Sequence, residues 1–218
     1  MKKMNLNASV SLVLAAALTS ATASPALAAE GVRVAVAGIA GVTGARNGSS
    51  NPAQGAGLTA DRKIGYGAGA LIEFPFSEGL GIETGALYVQ RKFEIGNPNF
   101  RLTRSVPTVF VPLEARLWLG NFFSVAGGAF GALRVGSQSD EVTSGSTTLA
   151  SISSGNREST EFGATAAATL NLAAAGKSGL FIEARYNRGF SNASKDGIYD
   201  EHIDDLLVLA GLRFDAGN

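Results

Sequence analysis

The chain has 218 residues, and its 18 basic and 18 acidic side chains give a formal net charge of zero. This balance argues against nucleic acid or an acidic polymer as an electrostatic partner. The chain contains no cysteine, which excludes disulfide bonds, thiolate metal sites and a lipoprotein anchor.

Residues 1–28 are predicted to form a signal peptide that is removed on export. Lys2 and Lys3 supply the positive start. The mainly apolar run from Val10 to Leu18 is too short for a membrane anchor, which needs about 20 apolar residues. The segment Ala26-Leu27-Ala28 has the small side chains that signal peptidase requires before the cleaved bond. We therefore expect a mature domain over residues 29–218.

Beyond the signal no stretch is apolar enough for a transmembrane helix, so a location in the membrane requires a closed barrel. Apolar and polar residues instead alternate with period two over segments of about ten residues, the length of a tilted membrane strand. Such segments occupy residues 32–42, 63–76, 80–95, 108–119, 122–135, 161–172, 180–190 and 206–214. Eight is an even number, as in bacterial outer-membrane barrels. We predict an all-β protein, a single antiparallel up-and-down transmembrane β-barrel of eight strands.

The connections between these segments differ in length. Those at residues 77–79, 120–121 and 174–179 are short, and those at residues 43–61, 96–104, 136–160 and 191–205 are long and polar. Short and long connections alternate strictly, which is typical of short periplasmic turns and longer surface loops. Within the third long loop, residues 147–154 are expected to pair as a strand extension. In the fourth segment Pro112 removes a ladder donor, so we expect a bulge or a local widening of the ladder there.

Charged residues recur on one side of the predicted strands. In addition to Arg33, they are Glu73, Glu83, Arg91, Glu114, Arg116, Arg134, Glu161, Glu183, Arg185 and Arg213. Charges inside apolar segments are very costly if they face lipid or a dry core. They become acceptable if they face inward and pair across the barrel. Because acids and bases are nearly balanced, we predict a self-neutralising lumen network, either structural or pore-lining.

The segment from Gly85 to Lys92, followed after a loop by Val111-Pro112-Leu113-Glu114, resembles the small outer-membrane β-barrel domains that are often labelled porin-like. In that family a strand with a tyrosine precedes an Ile/Val-Pro-Leu strand. The resemblance covers the whole mature chain and implies an integral barrel in the outer membrane of a Gram-negative cell envelope. It also implies recognition by the barrel-assembly machinery through an alternating final strand that ends on an aromatic residue, as residues 206–214 do.

The glycine-rich run over residues 33–44 looks like the opening of a dinucleotide-binding domain. That motif needs a helix directly after the glycines, so that the pyrophosphate meets its N-terminus. Residues 46–52 are a poor helix, and no later segment alternates strands with helices. The sequence therefore predicts no cofactor.

The chain has one histidine, His202, within an acidic run at residues 200–205. It suggests either a surface metal site or the general base of a hydrolase that acts on lipid or peptide. The favoured interpretation is a solvated acidic loop, as it is for Asp140-Glu141, because charge runs are usually solvated. We predict that the protein is not an enzyme and that it has no catalytic or metal-binding residue.

An eight-stranded barrel has an interior just wide enough for its own side chains. We therefore expect a largely filled, charge-paired lumen in a structural or surface-interaction protein. A narrow porin-like channel for ions or small solutes is the alternative, and a hydrolase using His202 is the third hypothesis. The expected partners are outer-membrane lipid and lipopolysaccharide, and the barrel-assembly machinery during biogenesis. The surface ligand of the loops is not identified by the sequence.

Overall fold

The computed structural model describes residues 31–47, 59–77, 79–97, 100–144, 147–154, 159–175, 178–192 and 201–216. The predicted signal peptide lies outside these residues. No helix among them is long and apolar enough to cross a membrane. The strands in the described part of the chain are β1 (Arg33–Asn47), β2 (Thr59–Pro75), β3 (Leu80–Asn97), β4 (Phe100–Leu119), β5 (Phe123–Arg134), β6 (Gln138–Ser144), β7 (Thr147–Ser154), β8 (Thr160–Ala175), β9 (Ser178–Gly189) and β10 (Glu201–Asp215).

Eight of these strands close into an antiparallel ring. Around the ring they follow the order β1, β2, β3, β4, β5, β8, β9 and β10, and β10 pairs with β1. Strands β6 and β7 form a hairpin that pairs with β4 over Arg101–Ser105, at the end opposite the short turns. The prediction of a single eight-stranded barrel is confirmed, and so is the prediction of pairing at residues 147–154.

The register of the strands sets the tilt of the barrel. A path through directly paired residues starts at Arg33 of β1, passes once round the ring and returns to β1 at Thr43. The displacement of ten residues along β1 is the shear of the barrel. In a barrel this small, shear and strand number together fix a narrow interior.

The two faces of the strands have the predicted character. The outward face is a belt of large apolar side chains that are exposed on the isolated chain, among them Leu113, Leu170, Leu180 and Val208. The inward face is buried and carries most of the charges. An apolar belt of this extent around a closed barrel is typical of a strand surface that faces hydrocarbon.

Some inward positions must be glycine because neighbouring strands approach closely. A Cβ atom at Gly67 would overlap the carbonyl oxygen of Tyr88, and one at Gly211 would overlap that of Val36. Glycines of this kind let a sheet curve tightly enough to close. They explain glycines that interrupt otherwise apolar strands.

All four predicted long loops are wrong in part. Residues 96–104 are almost entirely strand, because β3 continues to Asn97 and β4 begins at Phe100. The last strand begins at Glu201 rather than after Asp205. In the first long loop β1 continues to Asn47 and β2 begins at Thr59, and the third contains β6 in addition to residues 147–154. In these places the ladder extends beyond the apolar belt and is held by backbone hydrogen bonds and polar cross-strand pairs, so an apolar pattern cannot mark its end.

The disturbance expected at Pro112 is an interruption of the ladder rather than a bulge. The register of β3 against β4 is the same on both sides of this residue, with Thr84 opposite Leu113 and Leu87 opposite Phe110, but no residues are paired between these two positions. The hydroxyl of Thr84 donates to the carbonyl of Pro112 at 2.8 Å. This side-chain bond occupies the carbonyl where proline cannot complete the ladder, so the strand keeps its register.

Candidate functional site

The interior of the barrel is lined by a continuous row of polar residues. We call it the polar row; it consists of directly paired residues that wind once round the lumen from the turn end to the loop end. Its members are Arg33, Glu73, Glu83, Glu114, Thr165, Asn187, Asp205 and Thr43, with Gly128, which has no side chain, between Glu114 and Thr165. Directly paired residues share one face of a sheet, so these side chains all point inward.

Two arginines join strands by ion pairs in the middle of the lumen. Arg185 of β9 donates to Glu114 at 2.7 Å and to Glu83 at 3.2 Å. Arg116 of β4 donates to Glu83 at 2.7 Å and to Glu183 at 2.8 Å. These five residues, the central cluster, are at most 2% exposed. Since β3 and β9 are four strands apart in either direction round the ring, the contact of Arg185 with Glu83 crosses the lumen completely.

Hydroxyl groups complete the central cluster. Thr165 donates to Glu114 at 2.7 Å, and Thr169 donates to Glu183 at 2.8 Å. Arg116 also donates to Ser124 at 2.7 Å. Buried charges are tolerated only when further hydrogen bonds satisfy them, which gives these small polar residues a structural role on otherwise Ala- and Gly-rich strands.

A second set of polar residues lies at the turn end. Trp118 donates its indole N–H to Glu73 at 2.6 Å, and Arg33 donates to the same oxygen at 3.1 Å. The guanidinium groups of Arg33 and Arg213 lie 4.9 and 5.0 Å from the centre of the Trp118 ring. Trp118 thus combines a hydrogen bond with two cation–π contacts at this end of the lumen.

A third set of polar residues lies towards the loop end. Arg91 binds both oxygens of Asp205, at 3.1 and 2.6 Å, and also donates to Glu161 at 2.7 Å. Thr43 donates to Asp205 at 2.7 Å, and the guanidinium lies 4.5 Å from the ring centre of Phe110. We call Arg91, Asp205 and Glu161 the upper clamp. It links β3 to β10 and β8 across the lumen.

An apolar group also occupies the interior, which the sequence analysis did not predict. Its members are Ala35, Ile39, Leu71, Leu87, Val89, Phe110, Phe130, Ala132, Phe181, Leu207 and Leu209. The rings of Phe110 and Phe130 lie 5.7 Å apart. The lumen is therefore filled by charged and apolar side chains together.

The structure places the predicted lumen charges as follows. It joins Glu83, Glu114, Arg116, Glu183 and Arg185 in the central cluster, Arg91 with Glu161 in the upper clamp, and Glu73 and Arg213 around Trp118. Arg213 also lies 3.7 Å from Glu83. Arg134 differs, because its Nη1 is buried without a hydrogen-bond partner among the described residues.

Sequence reasoning missed the role of two acidic residues. The prediction that Asp205 and Asp140 lie in solvated charge runs is wrong for both. Asp205 is fully buried in the upper clamp, and Asp140 is bound by Arg104 at 2.9 and 3.0 Å on the inner side of the hairpin. The alternation of the strand indicates the inward position of Asp205. It lies an even number of residues before Arg213 and therefore shares its face.

The structure places His202 in strand β10 rather than in a loop. Its Nδ1 lies 3.2 Å from the backbone carbonyl oxygen of Ser191. Within the described ranges there is no group of three or more histidine, aspartate or glutamate side chains that would hold a metal ion.

Comparison with known proteins agrees with this architecture. Residues 31–195 match the family described as the outer membrane protein beta-barrel domain. No curated protein matches the chain in sequence.

Three solved structures illustrate the likeness. The attachment invasion locus protein Ail of Yersinia pestis is 15% identical, with 85% of this chain and 99% of that chain covered and a TM-score of 0.46. For OprG of Pseudomonas aeruginosa the identity is 11%, the coverage 86% and 97%, and the TM-score 0.46. For the Neisserial surface protein A, NspA, the identity is 12%, the coverage 85% and 99%, and the TM-score 0.43.

Proposed function

The chain belongs to the family of outer membrane protein β-barrel domains, and from this premise we propose that it is a structural or surface-interaction protein whose lumen is closed by its own side chains. It is an integral barrel of the bacterial outer membrane. The proposal assigns it no enzymatic activity. Outer-membrane lipid and the barrel-assembly machinery are the partners that such a role requires.

One observation carries the proposal. Arg185 and Glu83 come from opposite sides of the ring, yet they lie 3.2 Å apart, and their side chains are each 1% exposed. A free aqueous pore would hydrate and separate these groups. Arg116 and Glu183 make a parallel link at 2.8 Å. Together with the apolar group, these links leave the barrel axis occupied by protein.

The loop end offers the surface that such a protein would use. The hairpin of β6 and β7 continues the sheet beyond the ring and is attached to β4. Arg104 of β4 binds Asp140 of β6 with both carboxylate oxygens engaged, which fixes the base of the hairpin. A hairpin attached in this way on the loop side can present side chains to the environment without moving the barrel.

Conductance measurements test this proposal. The purified protein in planar lipid bilayers is expected to show no stable channels. Glu114→Gln is expected to lower stability without creating conductance. Glu161→Gln is the milder companion, because Glu161 lies at the edge of the lumen and is partly exposed. Reproducible channels whose conductance changes in either variant would overturn the closed-lumen proposal.

A narrow conduit for ions or water is the second candidate, and the polar row favours it. Four of its side chains have a buried acceptor oxygen without a hydrogen-bond partner among the described residues: Glu73, Glu83 and Glu114, each at Oε2, and Asn187 at Oδ1. Buried acceptors of this kind are usually satisfied by internal water. A chain of such waters along the polar row would let water cross the membrane, while the charged side chains of the lumen stay paired with one another. Faster osmotic volume change of proteoliposomes without electrical conductance is the result that a water conduit predicts, and small but reproducible conductance is the result that an ion conduit predicts.

A further inference from the structure

Four buried polar atoms without a hydrogen-bond partner among the described residues lie between the turn end and the central cluster. We call them the turn-end polar site; they are Oε2 of Glu73, Oε2 of Glu83, Nε of Arg116 and Nη2 of Arg213. Glu73 lies directly opposite Glu83 in the ladder. Arg116 donates to the other oxygen of Glu83, and Nη2 of Arg213 is 3.7 Å from its Oε2. The four atoms are therefore grouped around one carboxylate.

The separation of Arg213 from Glu83 indicates a bridging ligand. At 3.7 Å the guanidinium nitrogen and the carboxylate oxygen are too far apart for a direct hydrogen bond. The guanidinium lies 5.0 Å from the ring centre of Trp118 and 5.0 Å from that of Phe181, and these two cation–π contacts hold it in place. Charged groups separated in this way are commonly joined by a molecule of water.

The ligand of the turn-end polar site must both donate and accept hydrogen bonds. Two of the four atoms are carboxylate oxygens, which accept, and two are guanidinium nitrogens, which donate. A halide ion has no donor for the oxygens, and a metal ion has no acceptor for the nitrogens. Arg213 lies directly opposite Ala35 and Gly179, whose small size leaves room for a small molecule beside the guanidinium. Water meets both requirements, because a buried water bonds to polar groups of either kind.

Arg213 also balances the charge of the central cluster. That cluster joins three carboxylates to two arginines, so one negative charge is left over. Arg213 is the cation that offsets it, and its side chain is 7% exposed. Its one direct hydrogen bond within the described ranges is a long one, at 3.5 Å to Asn171. A cation that moves along the polar row from the turn end therefore has to pass a guanidinium whose charge is only loosely paired.

We propose that the turn-end polar site binds water and that Arg213 makes the conduit along the polar row selective for water over hydronium and other cations. This inference rests on the second candidate function, the narrow conduit. Water held between the two charged groups turns its oxygen towards Arg213 and a hydrogen towards Glu83. A hydronium ion accepts hydrogen bonds poorly and is repelled by the guanidinium, so it does not replace this water. Electrostatic barriers of this kind exclude protons and cations from water-selective pores.

Hydration of the site is tested by solid-state NMR of the full barrel in lipid bilayers, with isotope-labelled arginine. Magnetisation that starts on water is expected to reach the guanidinium of Arg213 at short mixing times. Arg185 is the control within the same lumen, because each of its side-chain nitrogens donates to a carboxylate. The variant Arg213→Lys assigns the signal by its loss. A build-up at Arg213 that is no faster than at Arg185 would contradict water binding.

Permeation through proteoliposomes tests the selectivity. Osmotic shrinkage is followed by stopped-flow light scattering, and proton entry by a pH-sensitive dye inside the vesicles. The wild-type protein is expected to speed shrinkage and to leave proton entry at the rate of protein-free vesicles. Arg213→Met leaves the excess negative charge of the central cluster, and loss of a charge so close to the path should raise proton entry about tenfold or more. Arg213→Lys keeps the charge and should keep the barrier.

Arg188→Gln is the matched control, because it removes an arginine from the outward, exposed face of β9 and should change neither rate. Heat-modifiable gel mobility reports whether each variant is folded. Wild-type vesicles that shrink no faster than protein-free vesicles would overturn the conduit itself. Faster shrinkage together with faster proton entry in the wild type would leave the conduit standing and overturn the role of Arg213. Unchanged proton entry in folded Arg213→Met would overturn that role as well.

Discussion

Glu83 of β3 and Glu114 of β4 lie directly opposite each other inside the barrel, and Arg185 of β9 binds one oxygen of each. Two buried carboxylates side by side repel each other unless a cation lies between them. The pairing therefore depends on a residue from a strand that is remote in the ring. Arg185 therefore links three strands, β3, β4 and β9.

Replacement of Arg185 is expected to lower the free energy of unfolding substantially. Arg185→Met leaves Glu83, Glu114 and Glu183 with one buried arginine fewer, and removal of one partner from a buried ion pair costs about 3–5 kcal/mol. The measurement is urea unfolding in lipid vesicles, followed by circular dichroism. Arg188→Gln, on the outward face of the same strand, is the control and should change little. A loss below about 1 kcal/mol for Arg185→Met would show that the cluster is hydrated rather than buried.

Arg91 and Asp205 of the upper clamp are expected to contribute unequally to the stability of the barrel. Arg91→Met should destabilise the barrel more than Asp205→Asn does. Without Arg91 both Asp205 and Glu161 remain as unpaired carboxylates, whereas without the charge of Asp205 the guanidinium still binds Glu161 at 2.7 Å. Unfolding free energies of the two variants check this order, and a larger loss for Asp205→Asn would contradict it.

A substitution at Trp118 can separate the contribution of its hydrogen bond to stability from that of its ring contacts. Trp118→Phe keeps an aromatic ring near Arg33 and Arg213 but removes the donor to Glu73. A buried acceptor that loses its donor costs about 1–3 kcal/mol, so a drop in that range is expected. Because Trp118 is the single tryptophan of the chain, unfolding of the variant is followed by circular dichroism. Trp118→Phe should cost less in a Glu73→Gln background, because the oxygen that loses the indole donor, and keeps Arg33 as its other donor, is then uncharged.

The hairpin of β6 and β7 is expected to be dispensable for barrel closure. The ring closes through the pairing of β4 with β5 and of β5 with β8, without either hairpin strand. A variant in which residues 138–154 are replaced by a short glycine-rich turn should keep the heat-modifiable mobility of the folded barrel. A variant that migrates as unfolded protein under all conditions would show that the hairpin is required for closure.

Much of the architecture could be predicted from the alternation of side chains alone. Because successive residues of a strand point to opposite faces, Leu170 and Val208 could be placed outward and Glu183 and Arg213 inward before any pairing was known. Strand number followed from the same pattern. The end of β3 and the start of β4 could not be predicted, since polar side chains on both faces leave no periodic signal above the apolar belt.

Only the tertiary structure decided which residues meet inside the barrel. The contact of Glu83 with Arg185 depends on a shear of ten residues, and the outward position of Lys63 depends on a register shift in β2. Asp205 has the phase of an inward residue, but its bidentate contact with Arg91 requires that β3 and β10 be level at that height. Alternation is a local property of the chain, so the sequence determines the face of a residue wherever no register shift intervenes. The height at which remote strands meet is a property of the closed ring, and only the fold sets it.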